Sequence, residues 1–228
     1  MANCRDAERV WTPAESKTFD QTAIAHGLTA SMLMENAGRS AFDVYVRHFG
    51  LKPALVVGGP GNNGGDGWVL ARHLRTAGLN VTAVLIGDKS PSTPEAAWAW
   101  GLLKELGIPH AQVSDADSFR SHLLAIAAHS GIIVDDLFGI GLVNAPRPPF
   151  SNVIEMINNS GRPVMSLDVP SGVNALSGKV PGHAIRANVT VTFGAKKSGL
   201  LSYPGAAHVG SLQTGSLGCP VTTWDKSA

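Results

Sequence analysis

The residues able to do chemistry gather in four short loops of this 228-residue chain, each directly after an apolar run. The first reads Gly58-Gly59-Pro60-Gly61-Asn62-Asn63-Gly64-Gly65-Asp66-Gly67. Its Gly59-x-Gly61-x-x-Gly64 spacing satisfies the dinucleotide fingerprint, in which missing side chains let backbone N–H groups approach a pyrophosphate at a helix start. No Lys-Ser/Thr pair follows, which excludes an ATPase P-loop. Asp66, at the expected start of the helix, would cap it well but repel a phosphate held by the same N–H groups. A glycine turn with an Asp cap is the simpler alternative.

The second loop, Val134-Asp135-Asp136-Leu137-Phe138-Gly139-Ile140-Gly141-Leu142, delivers a carboxylate at the end of a buried strand. Side chains alternate along a strand, so Asp135 and Asp136 face opposite ways and only one can face a given pocket. The third, Leu167-Asp168-Val169-Pro170-Ser171-Gly172, repeats the theme with a hydroxyl three residues on. Either carboxylate could instead satisfy loop N–H groups in an Asx-type turn. The fourth, Phe193-Gly194-Ala195-Lys196-Lys197-Ser198-Gly199, carries two lysines that would neutralise phosphate or simply be solvated. The eight histidines show no HxxxH or HxH spacing, and Cys4 and Cys219 lie far apart outside any ligand pattern. Neither a transition-metal site nor a disulfide framework is expected, and a reducing, cytoplasmic setting fits best. Trp98 and Trp100 read as packing residues in an Ala-rich helix.

The elements that must position these loops follow from periodicity. From Leu51 onward, short β-branched runs alternate with amphipathic stretches, the sequence form of right-handed βαβ units. Strands are predicted at Ala54–Gly58, Asn80–Ile86, Ile132–Asp135, Val164–Asp168 and Asn188–Phe193, with shorter ones near Ile108–Val113 and His208–Thr214. Helices are predicted at Asp66–Ala77, Thr93–Leu106, Asp117–Ala128 and Pro149–Asn159. Before them, Thr12-Pro13-Ala14-Glu15 forms a capping box that opens a helix ending at Gly27, and a second helix spans Thr29 to His48. The expected fold is a three-layer αβα Rossmann-like sandwich with a mainly parallel sheet. One domain is expected, with N-terminal helices over 12–50 as an extension and the core over 51–220. Ligands of such sheets bind outside the carboxyl ends of the strands, where all four loops lie.

Composition bounds the function. Apolar residues make up 44% and charged residues 15%, enough for a core and unlike a disordered chain. Eighteen Lys+Arg against seventeen Asp+Glu leave a net +1, so no broad basic surface for nucleic acid or anionic membrane is expected. No apolar run reaches the ~20 residues of a membrane span, and the polar N-terminus lacks the apolar core of a signal peptide.

Taken in order, Met34-Glu35-Asn36-Ala37-Gly38, the Asn62-Asn63-Gly64-Gly65-Asp66 loop, Val134-Asp135 with Gly139-x-Gly141, Asp168-Val169-Pro170-Ser171-Gly172 and Phe193-Gly194-Ala195-x-Lys197 resemble the NAD(P)H-hydrate epimerase family, the YjeF N-terminal domain. The resemblance runs from about Trp11 to Pro220. It implies a nicotinamide-cofactor repair isomerase that interconverts the R and S epimers of hydrated NADH and NADPH for a partner dehydratase. The chain ends too soon after Pro220 to hold that dehydratase. It also implies a homodimer, substrate contacts from Asn62, Asn63, Gly64, Gly65, Asp66, Gly139, Ile140, Gly141, Leu142, Val143, Asn144, Ala145, Asp168 and Lys197, and potassium held by Asn63, Asp135 and Ser171. Departures from the family pattern are Asp136 for Ala, Ile140 for Thr, and Lys196 and Ser198 for Pro. The chemistry fits: a nitrogen lone pair expels the adjacent hydroxyl as water, and water re-adds to a planar iminium from either face, with Asp135 expected to shuttle the proton. Two other readings are a hydride-transferring dehydrogenase with Asp88 as ribose partner, and a silent scaffold of the same fold. The first lacks a recognisable His or Tyr-Lys proton-transfer group. Asn63, Asp135, Asp168 and Ser171 argue against the second.

Overall fold

The computed structural model describes residues 9–129 and 131–223; Cys4 lies outside them. The chain opens with β1 (Val10–Trp11) and α1 (Pro13–Ala25). Thr12 accepts the Glu15 N–H at 3.2 Å, and the Glu15 carboxylate accepts the Thr12 N–H at 2.6 Å, completing the expected capping box. α2 (Ala30–Phe49) starts at the Thr29 cap and stops at Gly50, whose φ of 69° suits glycine. Its buried residues Leu33, Met34, Ala37, Ala41, Val44 and Tyr45 recur at helical spacing and face the core.

β2 (Ala54–Gly58), α3 (Asn62–Thr76), β3 (Val81–Ile86), α4 (Pro94–Glu105), β4 (His110–Val113), α5 (Ala116–Ala128), β5 (Ile132–Asp136), α6 (Phe150–Asn159), β6 (Val164–Leu167), β7 (Val189–Phe193), β8 (Lys196–Lys197) and β9 (Ser211–Gly215) follow. Seven strands form one parallel sheet in the order β4-β3-β2-β5-β6-β7-β9. Strands β2 and β5 are adjacent, and the chain winds outward from them in both directions. Their carboxyl ends therefore form the switch point where such sheets bind ligands. Every residue of β2, β5, β6 and β7 is buried, as expected for strands covered on both faces. One apolar cluster packs α2, α3 and α4 against the sheet; a second packs α5 and α6 against its other face.

Two differences from the sequence reading bear on the site. Helix α3 begins at Asn62, a full turn before Asp66, with Gly61 as a cap that makes no side-chain hydrogen bond. The stretch has no apolar periodicity to mark a helix, but its glycines admit close neighbours. A Cβ at Gly64 would lie 2.1 Å from the Gly59 carbonyl oxygen, and one at Gly65 would lie 2.4 Å from Met34 Cε. Asp66 therefore sits inside the helix and is not its cap. The second difference is a two-stranded parallel sheet of β1 and β8, pairing Val10 with Lys196 and Trp11 with Lys197. Runs of two residues carry no periodicity, yet this ladder ties the N-terminal helices to the fourth loop.

Candidate functional site

A cavity of about 700 Å³ lies over the carboxyl ends of β2, β5 and β6, within the size range of small-molecule sites. Its floor is formed by Asn63 and Asp66 of α3, the loop Leu137–Leu142, Asp168 and Lys197; α1 and α2 supply a further wall that includes Ser16, Asp20, Leu33 and Met34.

The central feature is an ion pair. Lys197 is only 2% exposed, and its Nζ donates to Asp168 Oδ1 at 2.6 Å and to the Phe193 carbonyl at 2.7 Å. Asp168 also accepts from Thr192 Oγ1 at 3.3 Å and Phe193 N–H at 3.4 Å. Its φ of 62° makes it the one non-glycine left-handed residue among those described. That conformation, costing about 1–3 kcal/mol, is held by its N–H donating to Val191 O at 2.7 Å and by the Lys197 contact. Backbone strain, a buried cation and a cavity-facing carboxylate thus coincide at one residue.

Two more carboxylates face the same space. Burial pushes Asp20 up to about 6; Lys197 opposes that shift and Asp168 adds to it. Burial, reinforced by the Asp168 and Asp20 carboxylates, raises Asp66 well above the usual range. A shift in that direction favours the neutral acid, the form that does not repel a phosphate. The first N–H groups of α3 have no intrahelical acceptor and open beside Asn62 and Asn63 on the cavity wall. Thr93 Oγ1 donates to Asn62 Oδ1, and Ser92 N–H donates to the Pro60 carbonyl at 2.7 Å, fixing the loop from the α4 side.

Asp135 and Asp136 do face opposite ways. Asp136 Oδ2 accepts the Gly67 N–H at 2.5 Å beneath α3. Burial raises its pKa well above the usual range, with Asp66 and Asp135 adding to the effect. Asp135 is wholly buried; its Oδ2 accepts from Ser166 Oγ at 2.7 Å and Ser171 N–H at 2.9 Å, while Oδ1 has no partner among the described residues. It does not line the cavity, and neither does Ser171. Asp135, expected to shuttle the substrate proton, thus lies beneath the cavity lining, whereas Asp168 is part of it.

The other expected contacts divide. Asn62, Asn63, Asp66, Gly139, Ile140, Gly141, Leu142, Asp168 and Lys197 line the cavity. Gly64 and Gly65 are buried behind it, where they permit the close approach of α3. Val143, Asn144 and Ala145 lie exposed beyond its lining. Asp88 is exposed and outside the cavity, so the ribose-partner reading loses its residue. Asp20 and Ser16 were missed. The available signal was a carboxylate on the inward face of α1, between Phe19 and Ala23, where an apolar residue is the norm.

The three residues expected to hold potassium suit a monovalent ion. They offer hard oxygen donors with a single carboxylate, and the orphaned Asp135 Oδ1 lacks the partner that a buried oxygen requires. Ser171 touches Asp135 through its N–H, and Asn63 Oδ1 lies where a Cβ on Gly139 would be only 2.5 Å away, so the three loops converge.

Comparison with known proteins agrees with this arrangement. Residues 30–199 match the family described as YjeF-related protein N-terminus. A bifunctional NAD(P)H-hydrate repair enzyme of Leishmania major is 37% identical over 92% of this chain, which spans 37% of that protein's length. An NAD(P)H-hydrate epimerase of Weissella koreensis is 35% identical, covering 91% of this chain and 90% of its own length. The crystal structure of yeast ynu0 superposes with a TM-score of 0.77 at 27% identity, over 90% of this chain and 87% of the yeast chain. With the switch-point cavity, the glycine-rich start of α3 and the Asp168–Lys197 pair all inside or bordering the matched span, the chain belongs to the YjeF-related protein N-terminus family.

Proposed function

We propose that the protein is an NAD(P)H-hydrate epimerase acting in nicotinamide-cofactor repair. The observation that carries this reading is the Asp168–Lys197 pair facing a cavity whose adjoining wall is the open N-terminus of α3. A hydrated nicotinamide dinucleotide needs both parts. Its pyrophosphate suits the α3 N–H groups, and its hydrated ring needs a carboxyl group at the hydroxyl-bearing carbon.

The Asp168–Lys197 pair holds one exchangeable proton, which passes through the Asp168 carboxyl group to the departing hydroxyl as the ring nitrogen lone pair forms the iminium; the C–O bond breaks and water leaves. Water then adds, and a carboxylate takes its proton. Lys197 holds Asp168 in place, and the carboxylates around the cavity stabilise the cationic intermediate. Asn63, Asp135 and Ser171 would hold potassium. When bound, the ion supplies a positive charge that offsets nearby negative charge and keeps the three loops in register.

The same proposal includes a cytoplasmic homodimer and a separate dehydratase activity as functional partner. A partner activity is consistent with the bifunctional relatives, whose length this chain spans only in part. The test is to add the protein to one separated epimer of hydrated NADH and follow both epimers by chiral-resolving chromatography. Growth of the second epimer above the uncatalysed rate is expected; an unchanged rate refutes the reading.

A further inference from the structure

Epimerisation through a planar intermediate requires proton exchange on both faces of the ring, and Asp168 can serve only one. Helix α1, wholly outside the matched span 30–199, brings another carboxylate to the cavity. Asp20 is half-buried on the cavity wall, and no hydrogen bond or ion pair engages it among the described residues. One turn earlier on the same helix face, Ser16 also lines the cavity. Its Oγ is buried, in a residue 6% exposed, and has no hydrogen-bond partner among the described residues. A buried hydroxyl without a partner, beside a carboxylate without one, marks a place built for a polar ligand atom.

The scaffold fixes this pair relative to Lys197. Trp11 pairs in register with Lys197 in the β1–β8 ladder, α1 starts two residues later, and Trp11 packs on Phe19 with ring centroids 5.0 Å apart. The fully helical α1 then carries Ser16 and Asp20 inward. Asp168 instead reaches the cavity from the end of β6, so the two carboxylates come from different walls.

We propose that Asp20 is a second catalytic carboxylate, which exchanges the proton on the ring face opposite Asp168 while Ser16 holds the water there. This deepens the epimerase reading and rests on it. In one direction, the proton of the Asp168–Lys197 pair passes through Asp168 to the departing hydroxyl, the C–O bond breaks and water leaves on that face. Water held by Ser16 then attacks the iminium from the other face; the new C–O bond forms and its proton passes to Asp20. The reverse reaction exchanges the roles, and solvent water in the cavity returns the proton between turnovers. The charged or titratable groups facing Asp20 are Lys197, Asp168, Asp66 and the Cys219 thiol, with Lys17 on its own helix. In that setting burial raises Asp20 to about 6, near the pH at which an acid–base group works in both directions.

The test follows oxygen exchange in ¹⁸O-water, using each separated epimer of hydrated NADH and the full chain. Wild type should invert each epimer with incorporation of ¹⁸O. Asp20→Asn should lower inversion at least ~10²-fold. It should still exchange oxygen with retention in the one epimer whose hydroxyl faces Asp168. Asp168→Asn should show the mirror pattern, retaining exchange only in the other epimer, and it carries the test if Asp20→Asn fails to fold. A merely structural role for Asp20 would depress both epimers alike. Undiminished inversion by Asp20→Asn, or loss of exchange from both epimers in Asp168→Asn, overturns the role of Asp20 while leaving the epimerase intact. A wild type that inverts neither epimer overturns both.

Discussion

Gly64→Ala isolates what the glycine-rich loop does. A Cβ at Gly64 would lie 2.1 Å from the Gly59 carbonyl oxygen and 3.2 Å from its carbon. Carbon and carbonyl oxygen otherwise meet no closer than ~3.3 Å, so the methyl intrudes by about 1 Å. Both sides of the contact are backbone, and Gly59 cannot retreat because its own vacant side is 2.2 Å from the Leu137 carbonyl oxygen. The cost belongs at the upper end of the ~1–3 kcal/mol typical of overpacking. At ~2–4 °C per kcal/mol for a chain of this size, Tm should fall by about 6–12 °C. A shift of that order at the first turn of α3 should also lower kcat/KM by about 10²-fold. Gly61→Ala is the matched control: its φ is −84° and nothing lies within 4 Å of the added Cβ. Its smaller unfolded-state entropy offsets a poorer helix cap, leaving stability within about 0.5 kcal/mol of wild type. Thermal melts and epimer interconversion assays on both variants decide. Equal Tm values for the two would refute the close-approach argument.

Three further outcomes are expected. Lys197→Met strands Asp168 without its buried cation and should cost about 3–5 kcal/mol in urea unfolding; a loss below about 1 kcal/mol would mean that the pair is not an anchor. Asp136 binds its proton more tightly folded than unfolded, so its contribution lowers stability as pH rises above the unfolded value of ~3.9, at up to ~1.4 kcal/mol per pH unit while the folded group stays protonated. Asp136→Asn, which mimics the neutral acid, should therefore match wild type near pH 4 and become progressively more stable than it toward pH 7, and a widening deficit would reverse the sign. Finally, Tm should rise when tetramethylammonium is replaced by potassium at constant ionic strength, with stabilisation growing ~1.4 kcal/mol per tenfold excess over Kd, and Asp135→Asn should abolish the effect. Identical melts of wild type in the two salts would remove the ion from the account.

Much of this architecture was legible because buried parallel strands and capped amphipathic helices leave strong local patterns. Ala54–Gly58 matches its predicted bounds, and the other strands shift by a residue or a few. What escaped depended on contacts distant in sequence. The first two turns of α3 are set by Gly59, Met34 and Asp136 pressing on Gly64, Gly65 and Gly67, and no periodicity records that. The β1–β8 ladder joins residues about 186 positions apart through two-residue strands. The N-terminal helices, expected as an extension, also wall the cavity, and Asp20 on α1 stands apart in sequence from the four strand-end loops. Asp135 illustrates the remaining gap: strand alternation separated it from Asp136, yet only the tertiary structure put it below the floor and Asp168 at the surface of the site.

Whether Asp168 exchanges a proton with a hydrated nicotinamide ring in this cavity is decided by the approach to epimer equilibrium. One separated epimer of hydrated NADPH is incubated in potassium buffer with wild type or with folded Asp168→Asn. Wild type should equilibrate the two epimers, while Asp168→Asn does so at least ~10²-fold more slowly with its far-UV spectrum unchanged. A folded Asp168→Asn that equilibrates the epimers at the wild-type rate would contradict the role of Asp168.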